Sequence, residues 1–190
     1  KYKPNDILGY TVAIPGVVLN DVVVFAPNTD IFGLNFKEEL GLLLENDNII
    51  VENDANLQAM AEAKATGLDD LILISIGTGL GGGIIIDGKL LNKNGFAGEI
   101  GHIKVHFGVN SRMCGCGKLG CSEAYVSCKA IVKDYNDINH TNVNSKELFD
   151  LARAKDKLAI KCINDCARYL AITIATVVAT TGIKEVHIAG

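Results

Sequence analysis

The chain has 190 residues, 48% of them hydrophobic and 21% charged, with a formal net charge of −4. That balance excludes disorder by composition, and the length suffices for one domain or two small lobes with a real core. No basic run appears, which argues against a nucleic-acid or anionic-membrane surface, and the apolar stretch at residues 170–179, interrupted by Thr173 and Thr176, reads as too short to span a bilayer.

Residues 7–14 alternate weakly and predict a strand, stopped by Pro15 and Gly16. Residues 17–25 predict one or two short strands around the turn pair Asn20-Asp21, and residues 26–29 read as loop. Asn35 is placed to cap a short helix over 36–44, with Glu38 and Glu39 in the first turn, where the helix dipole favours acids. Residues 49–51 predict a buried strand that runs straight into Glu52-Asn53-Asp54-Ala55-Asn56. A helix over 57–66 follows, built from strong helix formers and stopped by Gly67.

Residues 71–76 predict a strand, 77–83 a glycine loop and 84–86 a second strand. Asp87-Gly88 is a hairpin turn, with 89–91 as the return. Residues 92–123 are glycine-rich and irregular. Three helices are expected, over 124–135, over 145–154 with Ser145 as cap, and over 156–180 ended by Gly182. Residues 186–188 predict a last strand. A boundary near Gly67 divides residues 1–66 from 67–190.

Of the 20 glycines, 14 fall between Gly67 and Gly120, which points to a site in that segment. Gly77, Gly79 and Gly82 match G-x-G-x-x-G, yet the dinucleotide fingerprint must open a helix. Here the β-branched run Ile84-Ile85-Ile86 follows, so that reading fails on context. A glycine hairpin can still offer backbone N–H groups to phosphate, with Thr78 adding a hydroxyl. A bulged hairpin without ligand is the alternative.

Of the 6 cysteines, Cys114, Cys116 and Cys121 crowd into eight residues. Three thiolates with His102 make a closed tetrahedral Zn²⁺ set of the structural kind. His106 is a rival fourth ligand, and His102 is preferred for its glycine-flanked Glu99-Ile-Gly-His102 setting. Cys128, Cys162 and Cys166 show no framework spacing, which fits a reduced, cytoplasmic compartment. Asp54 can take a proton from a bound hydroxyl that Asn53 orients, or either residue can cap the following helix. Glu99 and Glu123 flank the cysteine segment and suit several sugar hydroxyls together with His102 and Asn53.

The runs Val51-Glu-Asn-Asp-Ala-Asn56, Ile76-Gly-Thr-Gly-Leu-Gly-Gly-Gly83, Gly98-Glu-Ile-Gly-His102 and Cys114-Gly-Cys-Gly-Lys-Leu-Gly-Cys-Ser-Glu123 resemble the ROK family of bacterial sugar kinases and repressors. The order and spacing of the four motifs match, over nearly the whole chain. The resemblance implies an α/β actin-like (ribonuclease H-like) ATPase fold and transfer of the ATP γ-phosphoryl group to a hexose, as in glucokinases. It implies Asp54 as catalytic base, and Gly16, Asn53, Glu99, His102 and Glu123 as sugar-pocket residues. It places Gly77, Thr78 and Gly79 in the second phosphate loop, and zinc on His102, Cys114, Cys116 and Cys121.

By the same resemblance, residues 1–66 are the remnant of an N-terminal lobe bearing Asp54, and 67–190 a C-terminal lobe bearing the phosphate loop and zinc motif. ATP and Mg²⁺ are expected in the parent protein, with a homodimer, no membrane and no nucleic acid at this segment. The family's D-x-G-x-T strand is absent, and Ser122 departs from common family forms, so the chain reads as a central segment, inactive alone. The alternatives are the sugar-sensing domain of a repressor and a zinc-stabilised interaction module. Intact Asn53-Asp54 and Gly77-Thr78-Gly79 favour the kinase.

Overall fold

The computed structural model describes residues 6–26, 31–92 and 94–190. The loop expected at 26–29 lies outside these beyond Ala26. Strand β1 (Tyr10–Ile14) pairs in parallel with β4 (Ile49–Asn53), so that Ile14 stands beside Asn53. Between them β2 (Val17–Leu19) and β3 (Val22–Phe25) form an antiparallel hairpin. Its turn residues Asn20 and Asp21 both take positive φ, 50° and 65°, which short polar side chains tolerate best. Helix α1 (Phe36–Leu44) starts as expected, with Asn35 Oδ1 accepting from the Glu38 N–H at 3.2 Å. Ile14, Val18, Val23, Ile49 and Val51 make the core of this part.

The second sheet has the order β7-β6-β5-β8, with β5 at Leu71–Ile76, β6 at Leu80–Ile86, β7 at Lys89–Leu90 and β8 at Val186–Ala189. β5 runs antiparallel to β6 and parallel to β8. Leu71, Ile72, Leu73 and Ile74 are all fully buried, since both faces of the strand are covered. Leu71, Leu73 and Ile85 meet Ala59 and Ala63 of helix α2 (Asp54–Thr66). Ile72 and Ile74 meet Val126 and Val177 on the other side. Helix α2, on the N-terminal side of the boundary expected at Gly67, shares its core with the second sheet. Gly67 does end that helix, at φ 71°.

Three expectations are corrected. The glycine loop is shorter than 77–83, because 81–83 are strand residues in β6. A methyl group at Gly83 would sit 2.5 Å from Ala59 Cβ, so glycine here admits the helix rather than a turn. The helix over 124–135 is two, α3 (Glu123–Val126) and α4 (Cys128–Asn139). Ser127 is extended between them and its Oγ accepts from the Ala130 N–H at 3.2 Å. Helix α5 (Ser145–Arg153) is capped by Asn144, not Ser145, in a reciprocal pair with Glu147.

Helix α6 (Lys157–Thr181) has 25 residues and ends at Gly182. Among the described residues it is the one helix long and apolar enough, by length and composition, to cross a membrane. Here α6 buries Ala159, Cys162, Thr173 and Val177 against its neighbours. Thr173 and Ser122 are fully buried and their hydroxyls meet at 2.5 Å.

Candidate active site

Asn53 and Asp54 stand at the junction of β4 and α2. The strand-to-helix junction puts Asn53 at the N-cap of α2, where its Oδ1 accepts from the Ala55 and Asn56 N–H groups at 2.9 and 3.1 Å. The helix therefore begins three residues before the expected 57. The Asn53 amide also donates to the Gly16 carbonyl at 2.8 Å, tying the two motifs across 37 residues. Asp54 is the first helical residue, with Oδ1 on the Ala55 N–H at 2.9 Å, and it faces a cavity of about 650 Å³.

That cavity gathers all nine residues expected for catalysis, sugar and phosphate: Gly16, Asn53 and Asp54 on one side, and Gly77, Thr78, Gly79, Glu99, His102 and Glu123 on the other. Glu99 and His102 flank and end a short 3₁₀ turn, Ile100–His102. Burial, with the Glu123 and Asp54 carboxylates nearby, pushes the Glu99 carboxyl up. Burial pushes the His102 imidazole down, against the pull of Glu123 and with help from Lys104 and Lys118. A neutral imidazole keeps the lone pair a metal ligand needs.

The cysteine cluster stands behind this wall. His102, Cys114, Cys116 and Cys121 bring one ligand atom each within 4.8 Å of one another. Cys114 Sγ is 3.7 Å from His102 Nδ1, and Cys116 Sγ is 3.7 Å from Cys121 Sγ. A tetrahedron with Zn–S bonds of about 2.3 Å has edges of about 3.8 Å, so the residues fit such an ion. His102 Nε2 points the other way, 3.7 Å from Glu99 Oε2. His106 stays apart, with Nδ1 3.1 Å from Ser111 Oγ and its ring stacked on Tyr125. His187 pairs with Glu62.

Burial pushes the Cys114 thiol up. Burial acts the same way on Cys116, but the Lys118 backbone and the Cys114 and Cys121 thiols outweigh it, and that thiol lies below its ordinary value. All six cysteines are free thiols.

Glu123 joins the parts. Its Oε2 accepts from the Leu80 N–H at 3.1 Å and its Oε1 from the Cys114 thiol at 3.5 Å. A methyl group at Gly79 would lie 2.6 Å from Glu123 Oε2, so a side chain here would displace the Glu123 carboxylate. The Gly77 carbonyl accepts from the Cys128 N–H at 2.9 Å. Glu52 ties the same region from below, with Oε1 on the Asn56 amide and Oε2 on the Asn92 amide.

Residue-by-residue reading missed Gln58 and Ser75, which also line the cavity. Each carried a signal. Gln58 follows Asp54 by four residues, one helical turn, and Ser75 is the only polar residue in β5.

Two strand-bearing halves with a cleft between a strand-end Asp and a glycine hairpin have the actin-like ATPase architecture. The chain superposes with a TM-score of 0.83 on a ROK family glucokinase from Streptomyces griseus, solved in complex with glucose and AMPPNP. The identity is 31%, over 93% of this chain and 63% of that one. It is 31% identical to a glucokinase from Halalkalibacterium halodurans, over 98% of this chain and 62% of that protein. It is 30% identical to the xylose repressor of Bacillus subtilis, over 94% of this chain and 47% of that protein. The ROK family model matches residues 1–190, and the chain belongs to the ROK family. It spans between 47% and 63% of the length of these relatives.

Proposed function

We propose that the protein carrying this chain phosphorylates a hexose hydroxyl with Mg-ATP. The observation that supports this most is the convergence of Asp54 and the glycine hairpin on one cavity with Asn53, Glu99, His102 and Glu123. Asp54 takes the proton of the attacking hydroxyl. Asn53 has two N–H bonds; one holds Gly16 and the second reaches a sugar hydroxyl. Glu99 and Glu123 accept from further hydroxyls, and His102 Nε2 completes the set.

In the hairpin, Gly77 N–H is used on the Gly79 carbonyl and Leu80 N–H on Glu123. Thr78 and Gly79 lie between them at the tip and face the transferred phosphate. In phosphoryl transfer the protein supplies positioning and charge stabilisation, which is the work these groups can do. Zinc on His102, Cys114, Cys116 and Cys121 would brace the segment that carries Glu99 and Glu123. A closed site offers no open position to substrate.

The second reading is the sugar-sensing domain of a ROK repressor, favoured by the likeness to the xylose repressor. Intact Asp54 argues for the kinase. The deciding assay is coupled ADP release by the full-length protein with glucose, N-acetylglucosamine, N-acetylmannosamine and xylose. The kinase reading expects sugar-dependent turnover, and Asp54→Asn to lower kcat by about a hundredfold or more with little change in sugar affinity. Sugar binding without turnover would establish the sensor reading instead.

A further inference from the structure

The geometry points to Lys104 as the charge partner of the metal cluster: its ammonium donates to the Cys121 sulfur and holds the metal by offsetting the negative charge of the loaded site. This rests on the reading of His102, Cys114, Cys116 and Cys121 as zinc ligands. Three thiolates and a neutral imidazole around Zn²⁺ leave a net charge of −1. Cys121 is fully buried, and an uncompensated anion beside buried sulfur is costly.

Lys104 answers that charge directly. Its Nζ lies 3.0 Å from Cys121 Sγ and 2.6 Å from the Leu119 carbonyl oxygen. An ammonium has three N–H bonds, so two are committed here and the third is left for water. The placement is built into the backbone: Lys104 and Cys121 face each other across an antiparallel bridge, and Ser122 N–H donates to the Ile103 carbonyl at 2.8 Å. The cluster thus sits between two opposite charges. On the Cys114 side is the Glu123 carboxylate, at 3.5 Å from Sγ, and on the Cys121 side is the Lys104 ammonium.

An N–H···S bond from a cation draws electron density from the sulfur. The bound thiolate becomes a poorer nucleophile and a poorer base, so electrophiles and protons displace the metal more slowly. Lys118 belongs to the same loop and its charge reaches His102. It is therefore the control for a general field effect. Position 104 falls between the Gly98–His102 and Cys114–Glu123 runs, so neither motif gives Lys104 a role.

The test uses the full-length zinc-loaded protein and its Lys104→Met, Lys104→Arg and Lys118→Met variants. Apparent zinc affinity is read by competition with a chromophoric chelator. Iodoacetamide labelling of Cys116 and Cys121 is followed by mass spectrometry. Partners beyond the ligands are typically worth 10- to 100-fold in metal affinity, and Lys104 is a partly solvated one, so Lys104→Met is expected to weaken zinc about tenfold. It should also speed labelling several-fold. Lys104→Arg, which keeps charge and donor, should stay within about twofold of wild type in both readouts.

Wild-type behaviour by Lys104→Met in both readouts would overturn the proposal while leaving the zinc site standing. So would an equal loss in Lys118→Met, since a diffuse field would then suffice. A wild-type protein that takes up no zinc would overturn the metal reading itself. Thermal melts in excess zinc identify any variant that fails to fold, and Lys104→Arg then carries the comparison.

Discussion

Asn53 does at once what a sequence presents as alternatives. It caps α2 with its Oδ1 while Asp54, one residue on, lines the cavity, and with its amide N–H it grips Gly16. Both carboxamide and carboxylate reach the Ala55 N–H at the helix start, so capping and lining the cavity are compatible at this junction. Cys166 lies outside the cluster. Burial pushes Cys166 up to about 11, and its Sγ lies 3.5 Å from the Val126 carbonyl oxygen, to which it donates. Thiolate is the reactive form, so at pH 7.5 about one molecule in three thousand has it. In the native protein Cys166 should stay unlabelled by iodoacetamide over times that label an unfolded control completely. Its rate should rise about tenfold per pH unit toward 11. Labelling at the rate of a free cysteine at pH 7.5 would contradict the half-buried position and the bond to Val126.

At the scale of elements, the β6 glycines decide how closely α2 approaches the sheet. Gly81 and Gly83 lie under Ala55 and Ala59, and a methyl group at Gly81 would already be 3.0 Å from Ala55 Cβ. Gly83→Val should therefore push α2 away and destabilise the protein by about 1–3 kcal/mol, the usual range for overpacking. For a protein of this size or somewhat larger that is a fall in Tm of about 2–12 °C, measurable by calorimetry. On the kinase reading kcat should fall as well, since the same helix carries Asp54. An unchanged Tm would show that the helix has room to spare.

This is also where sequence reading met its limit. Glycine propensity labels 81–83 as loop, because the need for a close helix is a tertiary fact. Local chemistry was enough elsewhere: Asn35 at its cap, the buried run of β5, and Gly67 and Gly182 as helix ends. Ser127 broke a continuous helical pattern because Cys128 must reach Gly77, a contact no local pattern encodes. Nine of the residues that line the cavity were legible through motifs. Their ties were not: Glu123 to Leu80 spans 43 residues, and Ser122 to Thr173 spans 51.

Across the whole molecule, the segment from Glu99 to Glu123 has little regular structure and carries three cavity residues. Backbone bonds and the cysteine cluster hold it: Val105 N–H on the Gly120 carbonyl, Gly120 N–H on the Arg112 carbonyl, and Cys114 N–H on the Lys118 carbonyl. A metal bound there contributes its binding free energy to folding, and unlike the cores of the two sheets it acts on this segment alone. Removing zinc with a strong chelator should therefore act unevenly. Amides of residues 103–122 should lose hydrogen-exchange protection first, while those of β5 and β6 keep theirs. Sugar affinity should fall along with that protection, because Glu99, His102 and Glu123 lose their support together. Tm should drop by several degrees and recover on adding zinc back. Uniform loss of protection would show one cooperative unit in which the metal holds the whole core. Full protection and full sugar affinity after chelation would show that the backbone bonds alone suffice, and the cluster would then have no part in shaping the cavity.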